Sequence, residues 1–221
     1  MQFYPVFLDL RERPAVVVGG GTAAEEKARG LLEAGARVTA IAAAADPGLA
    51  NLAASGKLRL LGRDFREGDL AGAFLVIAAV ADPGLRERVW REARRRGVLI
   101  NTVDDPPRCD FLAPAIVRRG DLAVAISTGG KAPALAVRLR QRLERELGDE
   151  HARFLELAGA VRAPLAALHP DLGRRRELWY RLLDSDVLDL LRRGDEPAAR
   201  GRFAEILGVD PRHPRGAGQA G

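Results

Sequence analysis

Apolar positions near the start of the chain alternate between short continuous runs and helically spaced residues. The run 14–18 is β-branched and ends at Gly19-Gly20-Gly21, and residues 22–34 carry apolar side chains at helical spacing. Gly35 is a natural helix C-cap, and 37–42 is apolar enough to form a second strand. The order strand, glycine loop, helix, strand predicts a βαβ unit.

The same alternation continues to about residue 103. Further strands are predicted at 58–61, 74–80 and 98–103, with a basic helix at 84–96. The run 74–80 is apolar at every position, which is typical of a parallel sheet buried on both faces. We therefore predict the α/β class, with a Rossmann-like parallel-sheet domain over 1–112.

A hairpin and a long helix are predicted next, and they define a segment at 113–148. Strands at 115–118 and 122–126 flank a turn at Arg119-Gly120-Asp121, and a helix follows from about 133 to 147. The hairpin and its helix are more apolar than one small sheet needs. We therefore predict that this segment forms part of a homodimer interface and a substrate-binding region.

Leucines at helical spacing fill the rest of the chain and predict a helical subdomain at 149–208. Its helices are expected near 152–167, 174–183, 185–193 and 197–207, with breaks at Pro164, Pro170 and Gly194. The segment 209–221 has little apolar surface and several prolines and glycines, so a disordered tail is expected.

Composition excludes several classes of protein. The chain is 47% hydrophobic, which excludes disorder as its main state, and apolar runs such as 74–81 are too short to span a membrane. Cys109 is the only cysteine, so an intrachain disulfide and a cysteine-rich zinc site are excluded. We expect a soluble, cytoplasmic protein with no membrane partner.

Arginine dominates the basic residues. Of 35 basic side chains only Lys27, Lys57 and Lys131 are lysine, and the net charge is +5. Arginine suits two-pronged binding of carboxylates and phosphates, which would fit a polyanionic ligand or nucleic acid. Coding bias, with most arginines on solvated helix faces, explains the same count.

The first glycine loop predicts a dinucleotide site. Residues 19–24 fit G-x-G-x-x-G/A, in which Gly19 allows the tight turn, Gly21 lets a pyrophosphate approach and Ala24 lets the helix pack closely. The acid expected to bond the ribose is absent after the second strand, and Asp46 comes slightly late. No arginine follows that strand, which favours NAD over NADP without deciding between them.

Asp104 is the candidate catalytic residue. The acid pair Asp104-Asp105 follows the predicted strand 98–103, so it lies at the sheet edge where the glycine loop also ends. Hydride transfer is usually accompanied by loss of a proton, which makes Asp104 a candidate general base, whereas Asp105 precedes a proline and supports the turn. Cys109 has no nearby histidine and is interpreted as a packing residue, and no residues have metal-ligand spacing.

A second glycine loop lies between the hairpin and its helix. Ser127, Thr128 and Gly129 begin this loop, whose hydroxyls can bond free amides and which could hold a substrate carboxylate. An ordinary capped turn explains the spacing equally well.

Together these motifs resemble the precorrin-2 dehydrogenase domain of siroheme synthases. The resemblance spans residues 1–147 and rests on several separated motifs: Val18-Gly19-Gly20-Gly21, Asn101-Thr102-Val103-Asp104-Asp105, Cys109-Asp110-Phe111, Pro114-Ala115-Ile116 and Ala125-Ile126-Ser127-Thr128-Gly129-Gly130. The helical remainder resembles that family's C-terminal helices. One departure is Val80-Ala81, where the family usually has Thr-Asp or Thr-Asn.

The resemblance implies NAD-dependent oxidation of precorrin-2 to sirohydrochlorin in siroheme biosynthesis. It places Asp104 at the catalytic aspartate and Thr22, Ala23, Ala43 and Ala44 at dinucleotide contacts. Some family members also insert ferrous iron, so Fe2+ is a candidate second substrate. The many carboxylates of a tetrapyrrole would give an arginine-rich cleft a ligand without any nucleic acid. The alternative hypothesis is a non-catalytic NAD-sensing module that binds a partner or nucleic acid.

Overall fold

The chain divides between Ala113 and Pro114 into two units in a computed structural model, which describes residues 3–211. The first unit is a five-stranded parallel sheet in the order β3-β2-β1-β4-β5. Its strands are β1 Pro14–Val18, β2 Arg37–Ile41, β3 Arg59–Leu61, β4 Leu75–Ala78 and β5 Leu99–Thr102. Three helices cover it, α1 Thr22–Glu33, α2 Pro47–Ala54 and α3 Pro83–Arg96. The Rossmann-like fold predicted from the sequence is confirmed.

Side chains of the central strands alternate between two buried layers. On β1, Ala15 and Val17 pack under α1 and α2, whereas Val16 and Val18 pack under α3. All four are at most 6% exposed. Burial on both faces explains why these strands read as continuous apolar runs rather than as alternating ones.

Helix α2 was not predicted from the sequence. Asp46 precedes it as the N-cap residue and Pro47 takes its first position, two features that commonly begin a helix. Leu49 and Leu52 bury against the sheet and hold it in place. The alanines before it obscured the boundary, because they fit a helix, a strand or a loop.

The second unit contains the hairpin and the other five α-helices of the described residues. Strands β6 Ala115–Arg119 and β7 Leu122–Ile126 are antiparallel, with Val117 opposite Val124. The helices are α4 Pro133–Glu146, α5 Asp149–Leu168, α6 Leu172–Leu183, α7 Val187–Arg192 and α8 Glu196–Leu207. The hairpin and α4, predicted as a segment apart from the C-terminal helices, lie in the same compact unit as those helices.

Two expectations about the helical part were wrong. Helix α5 continues through Pro164, where a break was expected, because Phe154, Leu157, Val161 and Leu165 form one buried stripe along it. That burial outweighs the roughly 3 kcal/mol that an internal proline costs. The disordered tail was expected to begin at residue 209, but Val209 is only 2% exposed and packs in the helical core. The rest of that tail, 212–221, lies outside the described residues.

Within residues 3–211, the helices fall short of the combined length and apolar content that a membrane crossing requires.

Candidate functional site

The carboxyl ends of several parallel strands surround a cavity of about 180 Å³ in the first unit. The lining residues come from the ends of β1 and β2, the segments that follow β1, β2, β3 and β4, and the start of α3. They are Val18, Gly19, Gly20, Ile41, Ala42, Ala43, Ala44, Arg63, Asp64, Phe65, Val80 and Leu85. Ligands of open α/β sheets bind at this edge. The cavity therefore lies where the glycine loop predicted a dinucleotide.

Gly19 and Gly20 are required by close backbone contacts. Gly19 has φ +131°, and a Cβ there would lie 2.1 Å from the Ala79 carbonyl oxygen. A Cβ on Gly20 would lie 1.8 Å from the carbonyl oxygen of Ala44. Side chains at these two positions would push the loop away from the ends of β2 and β4.

Gly21 is different, because the space above it is open. A Cβ there would meet only the Asp46 carboxylate, at 3.9 Å. Gly21 is also the N-cap of α1 and offers that helix end no side-chain hydrogen bond. A pyrophosphate could therefore approach the backbone at this position, and the free amides and dipole of the helix N-terminus would favour its charge.

Small residues complete this cradle. Ala24 is fully buried, so the first turn of α1 packs directly against the sheet. Thr22 and Ala23 are exposed at the start of α1, and Ala43 and Ala44 line the cavity after β2. The residues present therefore fit a dinucleotide with its pyrophosphate at Gly21.

Asp46 lies beside the loop although it is late in the sequence. Its backbone N–H donates to the Gly20 carbonyl oxygen at 2.7 Å, which turns residues 42–45 back toward the loop. The Thr22 hydroxyl lies 3.5 Å from the Asp46 carboxylate. Asp46, which the sequence analysis found slightly late for the ribose-binding acid, therefore lies next to the glycine loop.

Arg63, which lines the cavity, forms a two-pronged ion pair with Asp69. The Arg63 Nη1 and Nη2 atoms donate to the two Asp69 carboxylate oxygens at 2.8 and 2.7 Å. The hydrogen bonds from Arg63 hold the pKa of Asp69 below its usual value. Nothing in the sequence indicated this pair, since both residues belong to an irregular loop.

Glu92 on α3 fixes the backbone of that loop. Its carboxylate accepts hydrogen bonds from the amides of Gly68 and Leu70, at 2.9 and 3.2 Å. Arg96 pairs with the same oxygen, Oε1, at 2.9 Å, so this 2% exposed acid has three donors on one carboxylate oxygen. The turn that carries Asp69 is therefore anchored to the helix behind the sheet.

Asp104 follows β5 at the same edge of the sheet. It is exposed and has φ +60°, a left-handed conformation that is uncommon for residues other than glycine. Within residues 3–211, its carboxylate makes no hydrogen bond or ion pair. It is therefore available to a ligand.

Asp105 is held in place instead. Arg108 donates to its carboxylate at 2.8 Å, and Arg86 lies 3.9 Å away. Arg108 also bonds Glu87 on α3, at 3.1 Å. The two neighbouring aspartates thus differ, since Asp105 ties the turn to α3 while Asp104 faces solvent.

Cys109 packs against β5. Its sulfur accepts a hydrogen bond from the Thr102 amide at 3.2 Å, and burial raises the pKa of the thiol. A raised pKa disfavours the nucleophilic thiolate. These contacts suit the packing role expected from the sequence.

The second glycine loop satisfies its own amides. The Ser127 hydroxyl accepts from the Gly129 amide at 3.2 Å, and the Thr128 hydroxyl accepts from the Ala132 amide at 3.3 Å. Gly129 and Gly130 both have positive φ. Each hydroxyl keeps its hydrogen free to donate to another group.

Many of the arginines pair with acids one helical turn away. Examples are Arg29 with Glu25, Arg91 with Glu87 and Arg142 with Glu146. Such exposed pairs contribute little to stability, on the order of 0.5 kcal/mol. These arginines therefore lie on helix surfaces and pair with neighbouring acids.

The sheet, the glycine loop and the cavity define a dinucleotide-binding protein of the Rossmann type. Comparisons with known proteins agree with this class. Residues 6–115 match the family described as putative NAD(P)-binding, 119–146 match the sirohaem biosynthesis protein central family, and 150–207 match the sirohaem synthase dimerisation region.

Named relatives point the same way. The chain is 44% identical over 208 residues to siroheme synthase 1 of Aeromonas salmonicida, covering 94% of this chain and 44% of that protein. It is 39% identical over 214 residues to the siroheme synthase of Thioalkalivibrio sulfidiphilus, covering 96% and 44%. The chain thus spans about half the length of the curated relatives it matches.

A solved structure covers the whole fold. SirC, a precorrin-2 dehydrogenase, superimposes with a TM-score of 0.75 at 26% identity, over 94% of this chain and 100% of that one. The chain belongs to the family of precorrin-2 dehydrogenases and siroheme synthases, which confirms the resemblance seen in the sequence.

Proposed function

We propose that this chain oxidises precorrin-2 to sirohydrochlorin in siroheme biosynthesis, with NAD as the hydride acceptor. The observation that carries the proposal is Asp104, which is exposed and unpaired among the described residues at the sheet edge that also holds the glycine loop. The resemblance to SirC supplies the substrate.

Gly19, Gly21, Thr22 and Ala24 would hold the pyrophosphate end of the cofactor, and Ala23, Ala43 and Ala44 would contact the rest of it. Bound nicotinamide in its oxidised form supplies a hydride acceptor. NAD rather than NADP is supported by the acids Asp46 and Asp64 near the adenosine end, because a 2′-phosphate would meet negative charge there.

Asp104 would take the proton that precorrin-2 loses. Oxidation removes two hydrogens, one as a hydride to the cofactor and one as a proton to the Asp104 carboxylate. An exposed carboxylate in a turn can accept that proton and release it to water. Asp105, held by Arg108, would keep the turn in its left-handed conformation.

Ser127, Thr128 and Gly129 would bind a substrate carboxylate. The Ser127 and Thr128 hydroxyls already accept from loop amides, and each hydroxyl still has a hydrogen that can donate to an anion. This role is our interpretation of an exposed loop in which the Ser127 and Thr128 hydroxyls bond two backbone amides.

A turnover assay with Asp104→Asn tests the proposal. The variant removes the base and keeps the shape, so kcat should fall at least about 100-fold. NADH affinity, followed by fluorescence, should stay within about twofold because Asp104 does not line the cavity. Asp121→Asn, in the exposed hairpin turn, is the matched control. Oxidation by Asp104→Asn at the wild-type rate would remove Asp104 from the mechanism.

A homodimer is also proposed, from the match at 150–207 to a dimerisation region and from the exposed apolar side chains Ile116, Leu135 and Leu139 in the second unit. Sedimentation at the monomer mass across micromolar concentrations would contradict it.

A further inference from the structure

Among the described residues that line the cavity, Arg63 is the only cation. It lies in the loop after β3, and Ala43 and Ala44 line the same cavity after β2. In Rossmann proteins the adenosine ribose lies at the end of the second strand, where an arginine accommodates the 2′-phosphate of NADP. Arg63 alone would therefore predict NADP, against the cofactor proposed above.

The charge of Arg63 is matched by Asp69. Both terminal nitrogens of the guanidinium bond the two carboxylate oxygens, at 2.8 and 2.7 Å, and Nη1 also donates to the Asp64 carbonyl oxygen. The Asp69 side chain is 11% exposed and that of Arg63 30% exposed, so solvent screens the pair only partly. These bonds occupy the fork formed by Nη1 and Nη2 and match the charge of the guanidinium, which leaves only its Nε edge open to a phosphate.

The carboxylate of Asp69 cannot easily move away. It accepts a further hydrogen bond from the Arg66 amide at 2.7 Å, and Glu92 bonds the amides on either side of Asp69. The hydrogen bonds from Arg63 lower the pKa of Asp69, so the carboxylate stays charged at neutral pH.

Asp64 adds a negative charge to the same cavity. Asp64 is exposed, and it lines the cavity next to Arg63. With Arg63 neutralised by Asp69, the charge left at this end of the cavity is negative. A 2′-phosphate would meet repulsion there, whereas a 2′-hydroxyl would not.

We propose that Asp69 determines the cofactor specificity of this protein, by holding Arg63 in an ion pair that keeps its guanidinium from the 2′-phosphate of NADP. The inference rests on the proposed function, because it assigns the cavity to the adenosine half of the dinucleotide.

Fluorescence titration of the full chain with NADH and NADPH tests the inference without turnover. Wild type should bind NADH at least about tenfold more tightly than NADPH. Asp69→Asn frees Arg63, so NADPH affinity should rise on the order of tenfold while NADH affinity stays within about threefold. The double variant Asp69→Asn with Arg63→Gln should lose the gain. Asp189→Asn, which breaks an exposed Arg192 pair in the second unit, is the matched control for loss of one negative charge.

Arg63→Gln alone provides a second test that does not depend on the folding of Asp69→Asn. It should leave NADH affinity within about threefold and should not improve NADPH binding, since Asp69 then stands unpaired. A tenfold loss of NADH affinity in this variant, or a gain for NADPH, overturns the inference.

The two proposals fail differently. If wild type binds neither dinucleotide, the proposed function fails and the inference with it. If NADH binds but Asp69→Asn leaves the ratio of the two affinities unchanged, or if wild type binds NADPH as tightly as NADH, only the inference fails.

Discussion

Two glycine loops join a strand to a helix in this chain, and they differ in how the backbone amides near the start of the helix are bonded. The loop at residues 19–21 packs its backbone against neighbouring carbonyls and leaves Gly21 open, with no side chain capping α1. The loop at residues 127–130 uses Ser127 and Thr128 to bond its own amides. The first loop leaves helix amides for a ligand, whereas the second offers hydroxyl groups.

The largest effect that separates the loops should come from Gly20→Ala. The new methyl group would lie 1.8 Å from the Ala44 carbonyl oxygen, so the loop and the end of β2 must separate. We expect a loss of about 3 kcal/mol in the free energy of unfolding, measured by chemical denaturation. Gly129→Ala is the control, because nothing lies within 4 Å of the new Cβ. Its only expected cost is the left-handed φ of +61°, which should lower the free energy of unfolding by about 1 kcal/mol. Equal losses of unfolding free energy in the two variants would contradict this difference in packing between the loops.

Gly21→Ala should affect binding without affecting the fold. Gly21 has φ −84° and ψ −178°, which any residue adopts, and its surroundings are open. We expect stability within about 0.5 kcal/mol of wild type, and NADH affinity lower by at least about tenfold because the methyl group occupies the path of the pyrophosphate.

Gly30→Ala, on α1 and also in open space, is its control. It should stabilise the chain by about 0.5–1 kcal/mol with unchanged binding. Wild-type NADH affinity in Gly21→Ala would show that the pyrophosphate does not approach this glycine.

Thr128→Ala should give the smallest effect. It removes the hydroxyl that accepts from the Ala132 amide, at a cost of about 1 kcal/mol in thermal or chemical denaturation. Thr128→Ser keeps the hydroxyl and should restore most of that loss. If Thr128→Ala is as stable as wild type, the second loop does not depend on its own hydroxyl for order.

The fold was largely predictable because burial on both faces leaves a strong pattern. Helix α1 was expected at 22–34 and spans Thr22–Glu33, and the β4 run was recognisable from its unbroken apolar residues. Where burial competes with a local signal the sequence was less informative. Pro164 is such a case, because a proline normally ends a helix, whereas the buried apolar stripe of α5 continues past it.

The cavity was predictable in part. The glycine spacing indicated the backbone cradle, but Arg63 and Asp69 share an irregular loop in which no periodicity brings side chains together. Asp46 was discounted for its spacing, although a single backbone hydrogen bond to Gly20 returns it to the loop. Both cases depend on loop conformation, which side-chain patterns do not encode.

Glu92 has a consequence for how this protein can evolve. It holds the backbone of the turn at Gly68 and Leu70, while the Asp69 side chain between them pairs with Arg63 and accepts from the Arg66 amide. The charge next to Arg63 and most of the support of the turn thus come from different residues on different elements. Under the specificity proposed for Asp69, exchange of this one residue for a neutral one would change the dinucleotide that a lineage uses, while Glu92 would still hold the turn at Gly68 and Leu70.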